Sequence, residues 1–260
     1  MILEMLYATC GERIFELLDN IPEPNPRLKI LIVHQINSQN ESVEHFFSER
    51  DDVRYFSMFE KGVTKSRNFA LTHAIGDIVL FCDDDVVYTN FVEQLIQIYE
   101  VNPSISGVTL SYSTPAFGVL PKFKKVSFIH TLSTILSIGT IEVSVRLSSV
   151  RSAGATFPED LGAGTKFFCC DEPVFLSKLI KFGSKIIYFP LTIGLHPDVS
   201  SGLGLNSYPA LFSRLIAFRY IYGYLFGTLV FYAFCLKNFH KLSPRLLFFS
   251  LFSIFIFNPQ

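Results

Sequence analysis

With 260 residues and a net charge of −1, the chain can bury one α/β core with an extension, and it lacks the broad basic field that nucleic-acid binding needs. Its five cysteines, Cys10, Cys82, Cys169, Cys170 and Cys235, include no C-x-x-C pair, which speaks against a zinc site and for reduced thiols in a cytoplasmic setting. Glu4 and Glu12 stand where a secretory leader is basic, so no signal peptide is expected.

Strands and helices alternate through most of the chain. Residues 2–9 read as an apolar strand, 12–18 as a helix stopped by Pro22, Pro24 and Pro26, and 28–34 as a second strand. After a loop at 37–40, a short helix opened by Glu41 or Ser42 runs to Phe47. A third strand covers 53–58, and a helix covers 64–75 with Gly76 as its stop. Residues 78–82 are an apolar run that ends in Asp83-Asp84-Asp85. Beyond it, Asn90 is placed to cap a helix over 91–99, 107–113 is a strand, 114–140 an irregular excursion and 141–146 another strand. A helix over 173–182, with Pro173 in its first turn, and a strand over 185–189 closed by Pro190 lead into a polar loop from His196 to Gly202. The alternation predicts a Rossmann-like α/β fold with a mostly parallel central sheet flanked by helices.

The end of the chain changes character. Residues 220–236 carry no charge, 246–257 are a shorter apolar run, and Arg214, Arg219, Lys237, His240, Lys241 and Arg245 surround them. Seventeen uncharged residues lie at the lower limit of a spanning helix, and basic flanks suit the cytoplasmic face of a membrane. The expectation is a domain over 1–205 followed by an apolar helical C-terminal tail, 206–260, that associates with a membrane surface. A helical subdomain packed on the sheet is the alternative.

The run ending in three acids organises the rest. A short apolar stretch bounded by Gly76-Asp77 and by acids reads as a buried parallel strand, and ligands of open α/β sheets gather at the carboxyl ends of such strands. Three adjacent carboxylates repel one another, and a divalent cation that brings a phosphate-bearing substrate is a fitting counter-charge; a solvated acidic turn is the plainer alternative. Four other segments are candidates to converge on this tip. Lys65 and Arg67, at a helix start, can clamp a diphosphate. Asp171-Glu172, after Leu161-Gly162-Ala163-Gly164, can supply a general base. His196, just past a strand, can complete a metal shell, and Thr9 with His34-Gln35 can line a base pocket.

Several of these segments together resemble a known family. Gly62-Val63-Thr64-Lys65-Ser66-Arg67-Asn68, then Ala74-Ile75-Gly76-Asp77-Ile78-Val79-Leu80-Phe81 and Asp83-Asp84-Asp85, resemble the core of the family 2 glycosyltransferases of GT-A fold. Cys170-Asp171-Glu172-Pro173-Val174-Phe175-Leu176 is similar to that family's acidic helix-start segment, and the likeness covers roughly residues 3 to 202. The resemblance implies a nucleotide-sugar donor, commonly a UDP-sugar, and a divalent metal, Mn2+ or Mg2+. It implies Asp85 as metal ligand with His196 as a further one, Asp83 nearer the donor's ribose and Arg67 against the nucleotide or its diphosphate; Asp84, Lys65 and Thr9 are expected on the donor side from their own positions. Glu172 falls where the family places the base, supported by Asp171, and transfer is by direct displacement with inversion onto a glycan or lipid-linked glycan hydroxyl. Departures are His34-Gln35, where an acidic pair is usual, and Cys170, where the family has Gly. Two other classes fit single features: a haloacid-dehalogenase-like phosphatase using Asp83 as nucleophile, and a non-catalytic membrane-associated scaffold.

Overall fold

The computed structural model describes residues 1–38, 41–198, 204–246 and 248. Part of the expected loops at 37–40 and 196–202, and nearly all of the apolar run 246–257, lie outside the described residues. In chain order the elements are β1 (Leu3–Cys10), α1 (Ile14–Asn20), β2 (Leu28–Gln35), α2 (Glu41–Ser48), β3 (Val53–Met58), α3 (Val63–His73), β4 (Ile78–Cys82) and β5 (Val87–Tyr88). There follow α4 (Val92–Val101), β6 (Gly107–Thr114), β7 (Gly118–Val119), β8 (Phe128–Ile129), β9 (Val143–Arg146) and α5 (Leu147–Ala153). The described part closes with α6 (Asp171–Lys181), β10 (Ile186–Leu195), α7 (Tyr208–Tyr222) and α8 (Tyr224–Lys237).

One twisted sheet runs β3-β2-β1-β4-β9-β6-β10-β5, with β7 beside β6 and β8 beside β10. β1, β2, β3 and β4 pair in parallel, as do β6 and β10. β9 is antiparallel to both β4 and β6, and β5, β7 and β8 also pair antiparallel. The sheet is therefore mixed, where a mostly parallel one was expected: the chain returns through β9 against the direction of its neighbours.

The alternation of side chains explains the layers. Met5, Tyr7, Ile78 and Leu80 point to one face, where α1, α2 and α4 supply Leu17, Phe47, Leu95 and Tyr99. Leu6, Val79 and Phe81 point to the other, where α3, α5 and α6 supply Leu71, Val150, Phe175 and Leu179. All five residues of β4 are buried, so this strand has no polar face, and each such apolar side chain contributes about 1.5–3 kcal/mol of burial. The first polar residue after it is Asp83, at the carboxyl edge of the sheet.

Local details refine the elements. Asn90 does not cap α4, whose N-cap is Phe91. Pro190 does not end the strand: β10 runs on to Leu195, and its register with β6 shifts between Tyr188 and Thr192, around the residue that lacks an N–H.

The C-terminal segment corrects the expected membrane tail. The uncharged stretch 220–236 is not one helix, because Gly223, at φ 82°, separates the 15-residue α7 from the 14-residue α8. Among the described residues no helix is long and apolar enough to cross a membrane, which takes about 20 residues. The two helices fold on each other, with Leu211, Leu215 and Phe218 against Phe231 and Cys235. Ile216, Ala217 and Ile221 of α7 pack on Leu161, Phe167 and Val174, next to the start of α6. The hydropathy that suggested a membrane partner thus includes the seam of a helical hairpin docked on the sheet domain.

Candidate active site

α3 builds one wall of the cleft. Its Asn68 side chain bonds both backbone groups of Phe157, accepting from the N–H at 2.8 Å and donating to the carbonyl at 3.1 Å. Thr64 Oγ1 donates to the Leu161 carbonyl at 3.1 Å. Gly162, at φ 96°, passes so close that a Cβ there would lie 2.9 Å from Val63 and Thr64 side-chain carbons. These contacts fix the 157–164 segment that leads into α6. The amide ends of α3 are engaged by protein, with the Gly62 N–H on Gln35 Oε1 at 2.7 Å and the Val63 N–H on the Ala163 carbonyl at 3.0 Å.

Arg67, one turn into α3, is 5% exposed and sits among the acids. Its Nη1 lies 2.6 Å from Asp171 Oδ2 and 3.4 Å from Glu172 Oε1, and its Nη2 lies 2.7 Å from Thr140 Oγ1 and 3.6 Å from Asp83 Oδ1. Thr140 Oγ1 also bonds Glu172 Oε1. One guanidinium therefore ties the β4 tip to the start of α6. Burial alone works against its charge, but Asp171, Glu172 and Asp83 raise its pKa. Asp171 is almost wholly enclosed; burial, then the Glu172 charge, pushes its carboxyl up to about 7 against the pull of Arg67. Glu172 keeps more of its side chain open, 13% against 3% for Asp171.

Beside Arg67, one ligand atom from each of Asp83, Asp85 and His196 lies within 4.8 Å of the others. Asp85 Oδ1 is buried and has no hydrogen-bond partner among the described residues, while Oδ2 lies 3.1 Å from Arg13. His196 is held by its own N–H on the Ser113 carbonyl at 2.9 Å and by its ring on Tyr112, centroids 5.2 Å apart. Its Nδ1 lies 2.6 Å from the Pro197 carbonyl. A carbonyl only accepts, so the proton belongs on Nδ1 and Nε2 carries the lone pair. Two carboxylates, one with an orphaned oxygen, and an imidazole nitrogen are a fitting donor set for a divalent cation, with Mn2+ better matched than Mg2+ because of the nitrogen.

Asp84 has a different setting. It is buried, accepts from Thr9 Oγ1 at 2.6 Å and pairs with Arg13. Burial raises its carboxyl to about 6, with Thr9 and Arg13 opposing. Thr9, expected in a base pocket, thus holds the acidic tip. His34 is buried too, with its ring nitrogens on Tyr55 Oη at 2.7 Å and the Gly11 carbonyl at 2.8 Å. Lys65 turns away and bonds Glu60 at 2.6 Å. The structure brings Asp83, Asp85, His196, Arg67, Asp171 and Glu172 together, holds Asp84 and Thr9 beneath them, and leaves Lys65 aside. Arg13 and Thr140 complete the cluster; the first follows β1 in a short 3-10 turn and the second opens another, and neither stands in a recognisable motif.

Residues 11–134 match the model of glycosyl transferase family 2. The match covers a little under half of the chain. The dehalogenase-like reading needs the acidic tip on the first strand of its domain, whereas here it follows the fourth. Among solved structures the chain is similar to S. aureus TarS residues 1–349 in complex with UDP, with 17% identity and a TM-score of 0.67 over 96% of this chain and 75% of that one. The same protein in complex with UDP-GlcNAc gives 16% identity and a TM-score of 0.66, covering 92% and 73%. A longer TarS chain gives 16% identity and a TM-score of 0.63, covering 84% of this chain and 39% of that one. At these identities the likeness establishes the GT-A fold. The chain spans 39% and 65% of the first two TarS chains it matches. No curated protein matches it by sequence.

Proposed function

We propose that this chain is a metal-dependent, inverting glycosyltransferase that moves a sugar from a UDP-sugar to a hydroxyl of a glycan or lipid-linked glycan acceptor. The observation that carries the reading is the convergence of Asp83, Asp85 and His196, with the orphaned Asp85 Oδ1, while Arg67 joins Asp83 to Glu172. The UDP and UDP-GlcNAc held by TarS, a protein of the same fold, support the choice of donor.

Asp83, Asp85 and His196 are the residues suited to hold the cation, with Mn2+ the better match for this set. When bound, it neutralises the charge that develops on the departing diphosphate. Glu172 is the group suited to take the proton from the acceptor hydroxyl, because it is the more open member of the acid pair. Asp171, enclosed on Arg67, orients the start of α6. Arg67 and Thr140 fix the Glu172 carboxylate, and the Arg67 guanidinium also sets positive charge beside Asp83. Attack opposite to the leaving diphosphate gives inversion.

Glu172→Gln keeps the shape and removes the base. Its UDP affinity in Mn2+ stays within about twofold of the parent while transfer falls roughly 10²–10⁴-fold. Turnover near the parent's removes Glu172 from the role, and loss of UDP binding shows that it serves the donor instead.

A further inference from the structure

Two thiols meet at the start of α6. Cys169 and Cys170 are consecutive and half-buried, with Sγ atoms 3.4 Å apart. Of the other cysteines Cys10 is exposed, and Cys82 and Cys235 are buried. Cys170 stands at φ 74°, the one non-glycine residue with positive φ among the described residues. Backbone held in this region costs free energy and collects at sites that switch or react. Arg214, from α7, brings Nη1 to 3.7 Å from Cys169 Sγ.

The two sulfurs are not equivalent. A hydrogen bond from Cys170, then the charge of Arg214, lowers Cys169 to about 7 against burial. The same contact and burial push Cys170 well above its usual value. An attacking thiol works best with a pKa near the ambient pH, which makes Cys169 the nucleophile and Cys170 the resolving partner.

We propose that Cys169-Cys170 is a reversible oxidation site, a vicinal dithiol that low-molecular-weight disulfides close into an intrachain disulfide. The Cys169 thiolate attacks one sulfur of R–S–S–R, forming Cys169–S–S–R and expelling the first RS⁻. Cys170 then gives up its proton and attacks Cys169 Sγ; that mixed disulfide breaks and the second RS⁻ leaves. The dithiol loses two electrons and two protons, and the oxidant becomes two thiols. Adjacent Cα atoms lie about 3.8 Å apart, short of the roughly 4.4–6.8 Å usual for disulfides, so the closed ring is strained and easily reduced. Closure resets the backbone of Cys170, which is the N-cap of α6, and Glu172 sits two residues further on. A shift of about 1 Å in a catalytic group costs up to about a hundredfold in rate.

The thiol chemistry is read independently of the function proposed above. The full chain is incubated with oxidised glutathione, alkylated, digested and weighed. The peptide holding Cys169 and Cys170 loses two hydrogens, takes no alkylating agent, and regains both thiols with dithiothreitol. In Cys169→Ser and in Cys170→Ser the same peptide carries at most one glutathione. Two alkylated thiols, or a stable mixed disulfide, in the parent chain overturn the proposal. Where the parent transfers sugar, oxidation lowers the rate about tenfold or more, up to the hundredfold above, and reductant restores it. Cys169→Ser, which retains Cys10, is unaffected by the oxidant; an equal loss in that variant assigns the effect to another cysteine and refutes the coupling.

Discussion

Replacing Arg67 by Met probes the knot that joins the β4 tip to the start of α6. The guanidinium is 5% exposed and touches Asp171, Glu172, Asp83 and Thr140. Methionine fills much of the volume but leaves Asp171 buried without its cation. Breaking a buried pair in this way costs about 3–5 kcal/mol. For a chain of this size each kcal/mol lowers Tm by about 2–4 °C, so a fall of roughly 6–20 °C is expected. The sign of the pH dependence follows from Asp171. Its folded pKa, already raised to about 7, rises further without Arg67, so the variant loses stability as pH rises through that value. The deficit is therefore smaller at about pH 5 than at about pH 8. Urea unfolding of the parent, Arg67→Met, Asp171→Asn and the double variant measures both effects. The double variant is less damaged than the sum of the singles, by about 1–3 kcal/mol. A deficit in Arg67→Met below about 1 kcal/mol, or strict additivity, refutes the reasoning.

Two further perturbations test the frame around the site. His130 is buried between Thr109 and Thr134, and burial lowers it to about 4 from 6.5. Its folded pKa is depressed, so the unfolded chain takes up the proton first, and stability falls as pH drops from about 6.5 to about 4; His130→Gln flattens that part of the urea-unfolding profile. At the seam of α7 and α8, a Cβ on Gly227 would lie 2.4 Å from the Phe218 carbonyl oxygen, whereas one on Gly223 meets nothing within 4 Å. Gly227→Ala therefore lowers Tm more than Gly223→Ala, whose cost is the backbone strain of about 1–3 kcal/mol at φ 82° and ψ 165°, and equal losses contradict the described packing.

What the sequence showed and what it hid have physical reasons. β4 and its acids were legible because burial on both faces leaves no polar position between Ile78 and Cys82, and the break at Asp83 is abrupt. The nearness of Asp83, Asp85 and His196 joins positions up to 113 residues apart and leaves no periodic trace, so the expectation came from their places after strands and from a resemblance. Thr140 was hidden in the 114–140 excursion, whose strands β7 and β8 are two residues each and too short to alternate. Arg13 was hidden because a single basic residue after β1 has no pattern; only the fold sets it beside Asp84 and Asp85. The tail was misread because an apolar window counts side chains and ignores Gly223, whose positive φ breaks the run into two packed helices.

The proposed transfer requires a cation held by Asp83, Asp85 and His196 against a nucleoside diphosphate. Titration calorimetry of UDP into the chain with and without Mn2+, repeated on Asp85→Ala, addresses it most directly. UDP binding that strengthens at least about tenfold with Mn2+ in the parent, and is indifferent to Mn2+ in Asp85→Ala, is the predicted result. Binding that ignores Mn2+ in the parent, or keeps its Mn2+ dependence after the substitution, contradicts it.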